Sequence, residues 1–151
     1  MSATLLRSAA IDTVRSSTSV RASTARPSRR AVITGRILTG IVAVLLALDS
    51  GIKLAMAKPA IEGSAQLGFS PQQVFVIGVI AAVCLVLYLI PRTAPIGAVL
   101  WTGYFGGAIV THFRLGNPLL THVLSPLYVS ALIWGGLYLR DPRVRAVLGK
   151  R

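Results

Sequence analysis

The sequence predicts an all-α fold, a transmembrane bundle of four helices. Composition gives the first reason: 54% of the 151 residues are hydrophobic, the mean hydropathy is +0.70 and only 13% are charged, against about a quarter in soluble domains. Spacing gives the second. The apolar residues fall into four stretches, each close to the roughly 20 residues that a helix needs to cross a bilayer. In lipid the backbone must satisfy its own hydrogen bonds, so stretches of this length form helices.

The predicted spans follow one another with short connections, which makes neighbouring helices antiparallel. The second span begins after Pro71 and stops at Pro91, because proline starts helices but does not continue them. The fourth span contains Pro126, where we expect a kink. The four spans cover residues 37–57, 73–90, 95–113 and 119–139.

The segments on either side of the spans are basic. Residues 1–35 are rich in Ser, Thr, Ala and Arg, and their apolar residues are too sparse to offset the entropy cost of ordering, so we expect a disordered tail. Residues 36–140 form the predicted membrane domain, and residues 141–151 a short basic tail. Residues 1–35 are not a secretory signal, but they are similar in composition to a mitochondrial presequence. An organellar protein with a cleaved presequence is therefore the alternative to a cytoplasmic tail.

Charge predicts the orientation of the bundle. Cytoplasmic loops carry the excess of Lys and Arg, and here the basic residues flank the first span, lie between the second and third, and follow the fourth. Both termini are therefore expected in the cytoplasm, with the bacterial cytoplasmic membrane as the expected location. The net charge of +12 sits at the two ends of the chain and not on an amphipathic face, which argues against nucleic-acid binding.

Polar residues inside the spans are the candidate functional residues, because ionisable groups are costly in a bilayer. Asp49 and Lys53 are four residues apart on one helix and can pair. Thr111, His112 and His122 lie near the same face of the membrane. Together they predict a pocket for a small molecule, a quinone headgroup or an ion. Two alternatives stay open: a purely structural ion pair with interfacial histidines, or a metal or haem held by the two histidines.

Small residues on the third span indicate close helix packing. Gly103 and Gly107 have GxxxG spacing, which allows two helices to approach closely. The approach is either inside the bundle or between protomers of a homo-oligomer. Trp134 and Tyr138 are interpreted as part of an aromatic belt, and Cys84 as a packing residue.

Three segments together resemble the DoxX-like family over about residues 36–139. They are Gly51-x-Lys53-Leu54, Leu67-Gly68-Phe69, and the ending Gly107-Ala-Ile-Val-Thr111-His112. The resemblance implies a four-helix membrane protein. The family is mostly bacterial and is named after a small subunit of an archaeal thiosulfate:quinone oxidoreductase or terminal quinol oxidase.

The leading functional hypothesis is an accessory or interaction subunit, with membrane oxidoreductase subunits and the lipid bilayer as partners. The chain has no recognisable catalytic motif, so we expect no independent catalysis and no metal site. No cofactor is evident, with quinone and haem left open. The alternative hypothesis is a small-molecule or ion-binding protein or transporter that uses Asp49, Lys53 and His112.

Overall fold

The computed structural model describes residues 28–148, and these residues are helical with no strand. The predicted fold class is confirmed. The elements in chain order are α1 (Arg29–Leu54), α2 (Lys58–Gln66), α3 (Pro71–Leu89), α4 (Ala94–Arg114), a π-helix (Leu119–Val123), α5 (Ser125–Arg140) and α6 (Pro142–Leu148).

Four helices are long and apolar enough to cross a membrane: α1, α3, α4, and the π-helix continued by α5. Many of their large apolar side chains point away from the bundle, among them Leu48, Val83 and Val110. In water this would be unfavourable, whereas in a bilayer these side chains contact lipid. The chain is therefore an integral membrane protein.

The first membrane helix begins earlier than predicted. Ser28 caps α1, its hydroxyl accepting a hydrogen bond from Ala31 N at 3.2 Å, so residues 29–35 are helical and not part of a tail. This start is packed against α5, because a Cβ added at Gly35 would lie 2.9 Å from Gly136 O. The other residues of the predicted N-terminal tail, 1–27, lie outside the described residues, as do residues 149–151.

Two short helices occur where the sequence predicts a loop and a tail. Helix α2 follows a turn in which Met56 has a φ of 52°, and it has a proline in its first turn, a position that suits proline. Helix α6 begins at Pro142. The preceding residue, Asp141, caps it, its Oδ1 accepting a hydrogen bond from Arg143 N at 2.9 Å. Hydropathy does not detect either helix, since neither crosses the bilayer.

The fourth span is broken close to the predicted kink. The π-helix gives way to α5 at Leu124, two residues before Pro126. Pro126 lies in the first turn of α5, where its missing N–H costs no hydrogen bond. The break, rather than the proline itself, redirects the span.

The core of the bundle lies between α1, α3, α4 and α5. Its largest fully buried side chains are Tyr88, Trp101, Ile133 and Leu137. Close approach occurs at Gly97, where an added Cβ would lie 2.8 Å from Leu87 C. Helix α4 therefore packs directly on the backbone of α3.

Gly103 and Gly107 do not bring helices of the bundle together. Within residues 28–148, an added Cβ at either position would have no heavy atom within 4 Å. Helix packing at this GxxxG pair, including a contact between protomers, stays a prediction.

The bundle has two chemically different ends. Gly35 of α1 meets Leu139 and Arg140 of α5, so the start of α1 and the end of α5 lie together at what we call the terminal end. The opposite end, formed by α2 and the π-helix, we call the α2 end.

Candidate functional site

A cavity of about 610 Å³ opens in the half of the bundle nearest the α2 end. Small-molecule sites in proteins measure about 300–1,000 Å³, so this cavity is of the right size for one. Helices α1 to α5 all contribute side chains to it. The apolar part of its wall includes Leu46, Ile77 and Phe105.

The ion pair predicted from the i, i+4 spacing is present on the wall of the cavity. Lys53 Nζ donates to Asp49 Oδ2 at 2.5 Å and to Tyr104 Oη at 3.2 Å. The Lys53 side chain is 17% exposed and that of Asp49 42%. Because the pair is close to electrically neutral, its cost in the bilayer is lower than that of either charge alone. An ammonium has three N–H donors, so one remains for a ligand.

Close packing of α3 beside Lys53 helps to hold the lysine in place. A Cβ added at Gly78 would lie 2.9 Å from Lys53 Cβ and 3.1 Å from Leu54 N. Only glycine at position 78 leaves room for α1 here. Lys53 is thus held by its contact with α3 and by two oxygen acceptors, Asp49 Oδ2 and Tyr104 Oη.

Tyr104 belongs to the site, although the sequence did not predict it as a site residue. Its ring lies against Trp101 and Phe105, with centroids 5.0 Å and 5.7 Å away, and the Lys53 ammonium lies 5.8 Å from its centroid. Tyr104, Ala108 and Thr111 all line the cavity, at the i, i+4, i+7 spacing of one helix face. That spacing, together with the polar tip of Tyr104, was the signal available in the sequence.

His112 reaches the cavity with a defined orientation. Asn117 Nδ2 donates to His112 Nδ1 at 2.9 Å, so in the neutral ring the proton is on Nε2. His112 then offers an N–H donor. Thr111 also lines the cavity, and its Oγ1 donates to Gly107 O at 2.9 Å, which leaves the oxygen able to accept.

His122 lies beside the site and does not line the cavity. It is exposed, and its Nδ1 is 2.8 Å from Thr121 Oγ1. The two histidine rings are nevertheless neighbours, with centroids 5.8 Å apart and planes tilted by 59°. In the part of the chain that the structure describes, no group of three or more His, Cys, Asp or Glu residues could hold a metal ion.

The cavity wall is aromatic at the buried side chain of Phe105 and polar at Thr111 and His112. Trp101 is fully buried in the core, stacked on Phe105 at 5.2 Å. Trp134 lies outside the site, its Nε1 donating to Thr102 Oγ1 at 3.0 Å. The arrangement suits a molecule with a hydrogen-bonding head and an apolar body.

The fold and the site define a small four-span membrane protein with a pocket inside the bundle. A sequence profile of the DoxX-like family matches residues 37–136, which is two thirds of the chain. The chain belongs to the DoxX-like family, and the predicted resemblance is confirmed. No curated protein and no solved structure matches it.

Proposed function

We propose that this protein binds a small amphipathic molecule in the cavity, with the head of the molecule against Lys53, Tyr104 and His112. The observation that supports the proposal is the convergence of donors on one space: the third N–H of Lys53, the hydroxyl of Tyr104 and the Nε2–H of His112. A head group with hydrogen-bond acceptors, such as a carbonyl oxygen, suits three donors. The buried aromatic wall suits the apolar body.

A quinone with a short tail is a suitable probe, since its carbonyl oxygens are acceptors and its ring is flat and apolar. The purified protein in mild detergent is titrated with decylubiquinone while tryptophan fluorescence is recorded. Trp134→Phe leaves Trp101 as the fluorophore, 5.0 Å from the Tyr104 ring. We expect saturable quenching of Trp101.

Matched variants assign the quenching to the cavity. Lys53→Met combined with Asp49→Asn removes a donor without leaving a charge unpaired, and is expected to weaken binding about tenfold, the value of one charge-assisted hydrogen bond. Lys58→Met changes a lysine outside the cavity and leaves the affinity as it was. Equal affinity in all three proteins, or quenching that does not saturate, contradicts the proposal.

A second proposal is that the protein acts as an accessory or interaction subunit, including of a quinone-linked membrane oxidoreductase. Gly103 on α4, which lies outside the cavity, supports it, because an added Cβ there would meet nothing of residues 28–148 within 4 Å and the site leaves room for a helix of a neighbour in the membrane. Purification from the native membrane with mass spectrometry of associated proteins tests it. A stoichiometric partner lost in Gly103→Ile is the expected result, and the absence of any partner contradicts it.

We also propose that the terminal end faces the cytoplasm and that the membrane is the bacterial cytoplasmic membrane. The excess of arginine at the terminal end supports this orientation. A cysteine introduced at exposed Arg30 is expected to react with a membrane-impermeant thiol reagent only after the cells are opened. Labelling of intact cells reverses the assignment.

A further inference from the structure

Arginines gather at the terminal end, far from the cavity. In residues 28–148 that end carries seven of the eight arginines and a single acid, Asp141. The α2 end has Lys58 and Arg114 with Glu62. The seven arginines are Arg29, Arg30, Arg36, Arg92, Arg140, Arg143 and Arg145.

Two of these arginines contact the end of α3, and a third follows in the same segment of the chain. Arg140 Nη2 donates to Tyr88 O at 3.3 Å, and Arg143 Nη2 donates to Pro91 O at 3.4 Å. Both carbonyls belong to the segment in which α3 ends and turns toward α4, and Arg92 follows Pro91 directly. We call Arg92, Arg140 and Arg143 the arginine corner.

The arginine corner has more donors than the protein uses. A guanidinium carries five N–H donors, and the two contacts above use one from each of two side chains. Arg143 has a carboxylate partner, Asp141 Oδ1, at 3.6 Å. Among the described residues, Arg92 and Arg140 have no carboxylate within 4 Å. The corner therefore retains positive charge and free donors.

Apolar residues beside the corner indicate a lipid rather than a nucleic acid. On α6, Val144 is buried against the bundle, while Val147 and Leu148 are 76% and 60% exposed. Arg143, on the same helix, has a side chain 65% exposed. Arginines and exposed apolar side chains together, on a short helix at the end of a membrane span, are typical of a helix lying in the membrane interface.

We propose that the arginine corner binds the phosphate of an anionic phospholipid, with Val147 and Leu148 inserted into the same leaflet. Planar guanidinium groups match the oxygens of a phosphate in pairs. A zwitterionic lipid brings a choline with its phosphate, and that positive charge offsets the attraction. The site is selective for lipids of net negative charge.

The test uses the full chain reconstituted in vesicles of nine parts phosphatidylcholine to one part phosphatidylglycerol. The protein is extracted in mild detergent, and the ratio of the two lipids that remain bound is measured by mass spectrometry and compared with the ratio in the vesicle. We expect the wild type to enrich phosphatidylglycerol. Arg92→Gln with Arg143→Gln is expected to reduce the enrichment roughly thirtyfold, from about 1 kcal/mol for each of two arginines near an anionic surface.

Three controls make the result specific. Lys58→Gln with Arg114→Gln removes the same charge at the α2 end and leaves the enrichment intact. Arg92→Lys with Arg143→Lys keeps the charge and retains most of the phosphatidylglycerol enrichment. If the glutamine variant of the corner does not fold, Arg29→Gln with Arg30→Gln is used in its place. It lowers the positive charge at the terminal end without changing the arginine corner, and is expected to reduce the enrichment less. Absence of enrichment, equal loss at both ends, or enrichment that 0.5 M NaCl does not weaken overturns the proposal.

Discussion

Replacing Lys53 and Asp49 one at a time distinguishes a structural role of this ion pair from a binding role. In Lys53→Met the carboxylate of Asp49 loses its partner, and Tyr104 loses a hydrogen bond. Removing one partner of a fully buried pair costs about 3–5 kcal/mol, whereas an exposed pair contributes at most about 1 kcal/mol. Asp49 lies in a membrane-spanning helix, so its 42% exposure is not exposure to bulk water, and we expect a loss of about 3 kcal/mol.

The double variant completes a thermodynamic cycle. Asp49→Asn with Lys53→Met leaves no charge behind, so its free energy of unfolding is expected within about 1 kcal/mol of the wild type. The assay is unfolding of the protein in mixed micelles by increasing fractions of dodecyl sulfate, followed by circular dichroism. If the two single variants simply add to give the double variant, with no coupling energy between them, Asp49 and Lys53 are not paired and the geometry of the site is wrong.

Other predictions test the packing and the histidine. Gly97→Ala is expected to cost about 3 kcal/mol or more in the same unfolding assay, because its Cβ would meet the backbone of Tyr88, which cannot move aside. Gly103→Ala, on the same helix but in open space, is expected to be neutral or to stabilise by up to about 1 kcal/mol; similar losses in both variants would contradict the α3–α4 contact. Asn117→Ala removes the donor to His112 Nδ1, so the nitrogen NMR shifts of the ring are expected to show mixed tautomers; an unchanged spectrum would mean that Asn117 does not orient the ring.

The spans could be predicted from the sequence because hydropathy reports the one property that a bilayer demands. The ends of the helices could not, since a helix continues into water wherever caps and contacts support it. The start of α1 illustrates this. Ser28 caps it and Gly35 packs it onto α5, although residues 29–35 contain no long apolar stretch.

The candidate site was partly predictable for a similar reason. The pairing of Asp49 with Lys53 follows from spacing along one helix, which a sequence displays directly. The contact of Lys53 with Tyr104 joins residues 51 positions apart and depends on how α4 is rotated in the bundle. The cavity depends on α2 and on the break at Leu124, and neither has a hydropathy signal. His122 was assigned to the pocket from its depth in the membrane alone. It lies outside the cavity, because depth does not reveal which face of a helix is turned toward the pocket.

Filling the cavity without disturbing the fold is the most direct test that it holds a small molecule. Gly107 lines the cavity, and an added Cβ there meets nothing within 4 Å, so Gly107→Leu places a side chain in the ligand space. Gly103→Leu, one turn earlier on α4 and outside the cavity, is the matched control. Small molecules that co-purify from the native membrane are extracted and measured by mass spectrometry. A molecule present in the wild type and in Gly103→Leu but lost in Gly107→Leu is the predicted result; identical extracts from all three proteins would contradict a ligand in this cavity.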